Sequence, residues 1–138
     1  MKTQRLTMAQ ALVRHLAALR VQTASGDVLP YVGGVFAIFG HGNVAGLGEA
    51  LAAERDTLPT LRAHSEQGMA NAAVAYARAQ FRERIMAVST SIGPGATNLV
   101  TAAAMAHVNR LPLLMLPGDV FASREPDPVL QQLEDFHH

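Results

Sequence analysis

The stretch "TSIGPGATN", residues 90–98, joins an apolar run to what reads as a helix, and glycine-rich turns in that setting often cradle phosphate. A P-loop needs a lysine followed by Ser or Thr at the helix start, and this stretch has no lysine. Gly93 and Gly95 have the spacing of a dinucleotide fingerprint, with Asp119 after the next strand to hold a ribose. Asn98 replaces the third glycine, however, and Pro94 lacks the N–H that an anion nest would use. Two readings remain: a tight strand-to-helix turn, or a bare backbone that a flat ligand can approach closely.

Glu66 is the second candidate. Ser65 can cap a helix beginning at Glu66, where the helix dipole favours the ionised carboxylate and burial beside a strand end opposes it. A carboxylate held between those pulls suits proton exchange, although a Glu in this place can equally serve only to stabilise the helix start. The six histidines invite a metal, and His64 with Glu66 forms an H-x-E. A zinc deaminase needs a later P-C-x-x-C, and the chain has no cysteine and no H-E-x-x-H. His15 and His107 sit in helical patterns and His137 and His138 at the chain end, so no metal ligand is expected.

The elements that must position these residues come from a chain of 138 residues, 49% hydrophobic, enough for one domain with a substantial core. Eleven basic and eleven acidic residues give zero formal charge, so neither a nucleic-acid partner nor a polybasic membrane-surface role is expected. The longest apolar runs, such as "LPLLML", fall well short of the roughly 18 residues of a membrane span. The absence of cysteine fits a reducing cytoplasm. The first 26 residues carry Lys2, Arg5, Arg14 and Arg20 and no acid, as a transit peptide would. The capping-box spacing of Thr7 and Gln10, with the apolar stripe Leu12, Val13, Leu16 and Leu19, favours a packed helix over residues 6–22.

After the turn-rich "SGDVLPYVGG", the chain alternates. Strands are expected at "VFAIFG", "LRAH", "RIMAVST" and "LPLLMLPG". Helices are expected at "NVAGLGEALAAE", from Glu66 to about Gln80, and from Thr97 to about His107. This β-α-β-α-β-α-β order predicts an α/β fold in three layers, a parallel sheet covered by helices on both faces. Ligands of such sheets bind at the carboxyl ends of the strands, where "FGHGN" (39–43), "HSE" (64–66) and the glycine turn all fall. "SREPDPVLQQLEDFHH" reads as a linker and a short helix from about Asp127, dividing a domain over residues 1–123 from a linker over 124–138.

Taken together, "VFAIFGHGN", "HSEQGMANAAVAYAR", "TSIGPGATN" and "LPLLMLPGDV" resemble the pyrimidine-binding domain of thiamine-diphosphate-dependent enzymes. That family has a strand and Gly-rich loop, an H-E-Q-G-A helix with G-Y-A-R, T-S-G-P-G-x-T-N, and a strand ending in G-x-V. The resemblance covers about residues 33 to 121. The inserted Ile92, and Phe39 where many members have proline, depart from the broad pattern. They suit one branch, which "AIFGHGNVAGLG", "NRLPLLMLPGDVFA" and "PDPVLQQLE" also resemble: hydrolases that open the ring of a cyclic polyol dione in inositol catabolism.

The resemblance implies that the Glu66 carboxylate hydrogen-bonds N1′ of the cofactor's aminopyrimidine and favours its imino tautomer, which prepares removal of the thiazolium C2 proton. It implies that the Phe39–Asn43 loop, including Gly40, borders the pyrimidine and substrate, with His41 a proton donor or substrate contact. Thr90, Gly93 and Asn98 would line the same pocket or hold its turn. Family members hold the diphosphate and Mg2+ in a second domain with a G-D-G motif, usually from a partner subunit, and here "PGDV" is present but no G-D-G. The chain is therefore expected to be the amino-terminal part of a longer homo-oligomeric enzyme, inactive and self-associating by itself. The alternatives are the same domain of an acetolactate-synthase-like carboligase or decarboxylase, and a non-catalytic interaction module.

Overall fold

The computed structural model describes residues 3–120 and 129–133. Helix α1, Met8–Ala18, opens on the expected capping box: the Gln10 N–H donates to Thr7 Oγ1 at 3.2 Å, and the Thr7 N–H to Gln10 Oε1 at 3.0 Å. It ends four residues before the expected 22. Leu19 turns to an extended conformation, and the Arg20 guanidinium donates back to the carbonyls of Ala17 and Leu19 at 2.7 and 3.0 Å, serving the open helix end. The chain then forms a hairpin of β1, Arg20–Gln22, which replaces the end of the expected helix, and β2, Val28–Pro30, where the sequence reads only as turns.

The main sheet contains β3, Val32–Ala37; β4, Thr60–Leu61; β5, Ile85–Thr90; and β6, Leu114–Pro117, all parallel in the order β4-β3-β5-β6. Strand β3 starts three residues earlier than "VFAIFG", with a register slip between Val32 and Val35. The expected "LRAH" strand shrinks to the two residues of β4.

Side chains of period two divide between the faces. Val35, Ala37, Ile85 and Ala87 pack with Val13 and Leu16 of α1, with Leu47, and with Ala50 and Leu51 of α3, Glu49–Ala53. Met86 and Val88 pack with Met69, Ala70 and Ala73 of α4, Glu66–Ala79, and with Ala102 of α6, Val100–Val108. The three-layer α/β arrangement is the one the alternation of elements implies.

Two helices are broken where the sequence pattern reads as continuous. Residues 43–54 are approached by α2, Gly40–Asn43, and pass through a π-helical turn, Val44–Gly48, before α3. Residues 97–107 are preceded by α5, Pro94–Thr97, whose Pro94 occupies a first-turn position that needs no N–H, and α6 begins only at Val100. Of the helix expected from about Asp127, Val129–Leu133 form a turn instead, and residues 124–128 and 134–138 lie outside the described residues.

Ser89 is fully buried in β5, and its hydroxyl has no hydrogen-bond partner among the described residues. An unpaired buried hydroxyl forfeits its hydration without recompense. Ser89→Ala is expected to raise unfolding stability by about 1 kcal/mol, read from urea or thermal denaturation; a loss of stability would show that the hydroxyl is satisfied.

Candidate functional site

The carboxyl ends of β3, β4 and β5 gather the loops that carry the chemistry. Ser65 is extended, and its hydroxyl accepts from the Gly68 N–H at 3.1 Å, so α4 starts at Glu66 as its capping residue dictates. The Glu66 side chain is half-buried and turns toward the glycine turn after β5. Oε2 accepts from Asn98 Nδ2 at 3.2 Å, and Oε1 lies where a side chain on Gly95 would come within 3.3 Å.

Glu66 shares a cavity of about 750 Å3 with Ile38, Arg62, Ala63 and His64. A second cavity of about 460 Å3 adjoins it through Ile38 and Arg62 and is lined also by Phe39, Gly40 and Val44. These volumes suit a small organic ligand. The larger cavity thus joins a carboxylate to the apolar side chains of Ile38 and Ala63 and to two basic residues, Arg62 and His64.

The remaining sequence candidates divide into cavity and scaffold. Gly40 has φ +63° and packs its α-carbon against Ser91, where a side chain's Cβ would fall 2.5 Å from Ser91 Cβ. Thr90 is fully buried and lines neither cavity: its hydroxyl donates to the Ser91 carbonyl at 3.0 Å, and its own carbonyl accepts from Asn43 Nδ2 at 3.1 Å and from the Gly118 N–H at 2.8 Å. Gly93, at φ +68°, is buried beneath the Gln131 carbonyl. Thr90 and Gly93 therefore hold the turns. His41 is exposed and borders a niche of only about 20 Å3 with Asn43, Ile92 and Asp119; it shares Phe39 with the second cavity. Of the expected residues the fold brings Glu66 and Asn98 into direct contact, and Phe39 and Gly40 line the adjoining cavity.

Sequence reasoning missed Ile38, Arg62 and Ser91 and took Gly95 only as part of the glycine turn. The strand-end rule was the signal for Arg62, which follows β4 directly, and for Ser91, which follows β5. Among the described residues, no group of three or more His, Cys, Asp or Glu side chains could hold a metal ion, and no helix is long and apolar enough to cross a membrane.

Comparison with known proteins points the same way as the geometry. Residues 6–138 match the family model for the thiamine pyrophosphate enzyme, N-terminal TPP binding domain. The chain is 50% identical over 137 residues to 3D-(3,5/4)-trihydroxycyclohexane-1,2-dione hydrolase 2 of Bacillus cereus, covering 99% of the chain and 21% of that protein. It is 54% identical over 137 residues, with the same coverage, to the 3D-(3,5/4)-trihydroxycyclohexane-1,2-dione hydrolase of Geobacillus thermodenitrificans. Against the hydrolase of that name from Lacticaseibacillus casei the figure is 55% over 133 residues, or 96% of the chain and 21% of the relative. The chain thus spans about a fifth of the length of these relatives.

Proposed function

Because the chain belongs to the family of thiamine pyrophosphate enzyme N-terminal TPP binding domains, we propose that it forms the pyrimidine-binding part of a thiamine-diphosphate-dependent hydrolase that opens the ring of trihydroxycyclohexane-1,2-dione. The observation that carries this reading is the half-buried Glu66 carboxylate, held by Asn98 over Gly95 beside a ligand-sized cavity. Names shared by relatives of half identity supply the substrate.

Bound thiamine diphosphate supplies a carbon nucleophile and an electron sink for C–C cleavage. The protein's part is to hold and protonate. Glu66 would hold a proton toward N1′ of the pyrimidine, the contact that would favour its imino form. Ile38 would offer the ring an apolar wall. Phe39 and Gly40 border the substrate side, where Phe39 excludes water and Gly40 keeps the wall free of a side chain. His41 is the substrate contact or proton donor of that loop, while Thr90 and Gly93 keep the turns in register. In the hydrolysis a ring C–C bond breaks, the carbonyl carbon takes hydroxide from water and becomes a carboxylate, and the other carbon takes a proton.

Mg2+ and the diphosphate fall to a second domain, contributed by a partner subunit of a cytoplasmic homo-oligomer. The test is a substrate assay on the protein expressed from its complete reading frame, supplied with thiamine diphosphate and Mg2+. Ring opening to an acid without pyruvate consumption is the expected result. Pyruvate condensation or decarboxylation without ring opening would replace the hydrolase with an acetolactate-synthase-like enzyme.

A further inference from the structure

The two oxygens of Glu66 have different surroundings. Oε2 accepts the Asn98 amide at 3.2 Å, whereas Oε1 faces Gly95, which has no side chain and makes no hydrogen bond to it. Among the described residues no cation pairs with Glu66: the ion pairs present are Arg14 with Glu54 and Arg55 with Asp56. A cation in Asn98's place would bind the carboxylate in its charged form. A neutral amide fixes the direction of the carboxylate without adding a formal charge of its own.

The backbone explains how Asn98 reaches across. It closes α5, with its N–H on the Pro94 carbonyl at 3.1 Å, and the chain restarts as α6 only at Val100. That interruption aims an exposed Asn side chain at the first turn of α4, 32 residues away in sequence. A rotamer-rich carboxylate is otherwise free to swing into the adjoining cavity, and fixing it before the ligand arrives removes that entropy cost.

We propose that Asn98 is the positioning residue of this site: it occupies Oε2, sets the Glu66 rotamer, and so presents Oε1 to the ring nitrogen. The proposal rests on the reading that Glu66 meets N1′, and it gives Asn98 a role exerted through Glu66 and not on the cofactor itself. The experiment uses the cofactor-loaded protein from the complete reading frame with Asn98→Ala and with Asn98→Leu, which keeps the bulk, removes the donor and adds no charge beside Glu66. Both are expected to lower kcat about ten- to a hundredfold, with KM and thiamine diphosphate Kd within about threefold of the parent.

A second readout needs no cofactor. Crystals of the unloaded Asn98→Ala protein are expected to show Glu66 in more than one rotamer over an unchanged Pro94–Thr97 turn. Adding Asn98→Ala to Glu66→Gln is expected to cost nothing further, because one residue acts through the other. Unchanged kcat in both Asn98 variants, alongside an inactive Glu66→Gln, overturns the role of Asn98 and leaves that of Glu66 standing. Losses that multiply in the double variant overturn it as well. A fully active Glu66→Gln instead removes the reading beneath it.

Discussion

Glu66→Gln should leave a folded protein whose kcat is down about a hundred- to ten-thousandfold, the usual worth of a positioned proton-transfer group. Glutamine keeps the length of the side chain, and its carbonyl oxygen can still accept from Asn98. Only the capacity to hold a proton toward the ring nitrogen goes. Because the side chain is half-buried and joins no ion pair among the described residues, unfolding stability should move by less than about 1 kcal/mol. Steady-state kinetics together with a thermal melt check both halves. An unaffected kcat would refute the proton-handling role; a collapsed melt would make Glu66 a structural residue.

Gly95→Ala is the second large effect, and its direction opposes local propensity. Gly95 is in helix α5 without a positive φ, so alanine should help by up to about 1 kcal/mol. A Cβ there would press directly on Ser91 Oγ and stand 3.3 Å from Glu66 Oε1. Overpacking of this kind costs about 1–3 kcal/mol, and a carboxylate displaced by about 1 Å can lose a hundredfold in rate. The expected result is a kcat loss of that order with a smaller loss of stability. Adding Ser91→Ala removes the harder of the two collisions and should restore much of the stability. If Gly95→Ala is as active as the parent, Glu66 does not depend on the bare floor beneath it.

How much of this was legible in the sequence follows from how local each cause is. Ser65 capping α4 at Glu66, and Thr7 with Gln10 capping α1, are side-chain to backbone bonds across three residues, so spacing alone reveals them. Strand β5 was legible because every residue of it is buried and its first four, Ile85 to Val88, are apolar without a break. The β1–β2 hairpin was hidden, since its strands are mostly exposed and Val28–Pro30 ends in a proline that reads as a breaker. The π-helical turn was invisible as well, because side-chain spacing of a helical type does not record which carbonyl each N–H chooses. At the site, Glu66, Phe39, Gly40 and Asn98 were legible as types at strand ends, whereas the Asn98–Glu66 bond and the place of Arg62 between two cavities depend on the sheet having formed.

Among the described residues, strand β6 has a neighbour on one side only, and its sequence is among the most apolar in the chain. An open, oily edge of that kind invites another chain to pair with it and seed fibrils. Pro117 ends the strand and Pro112 stands two residues before it, and neither can donate a backbone hydrogen to an incoming strand. The pairing-competent stretch between them is too short to template a growing ladder. The prolines thus limit how far another strand can extend along this edge.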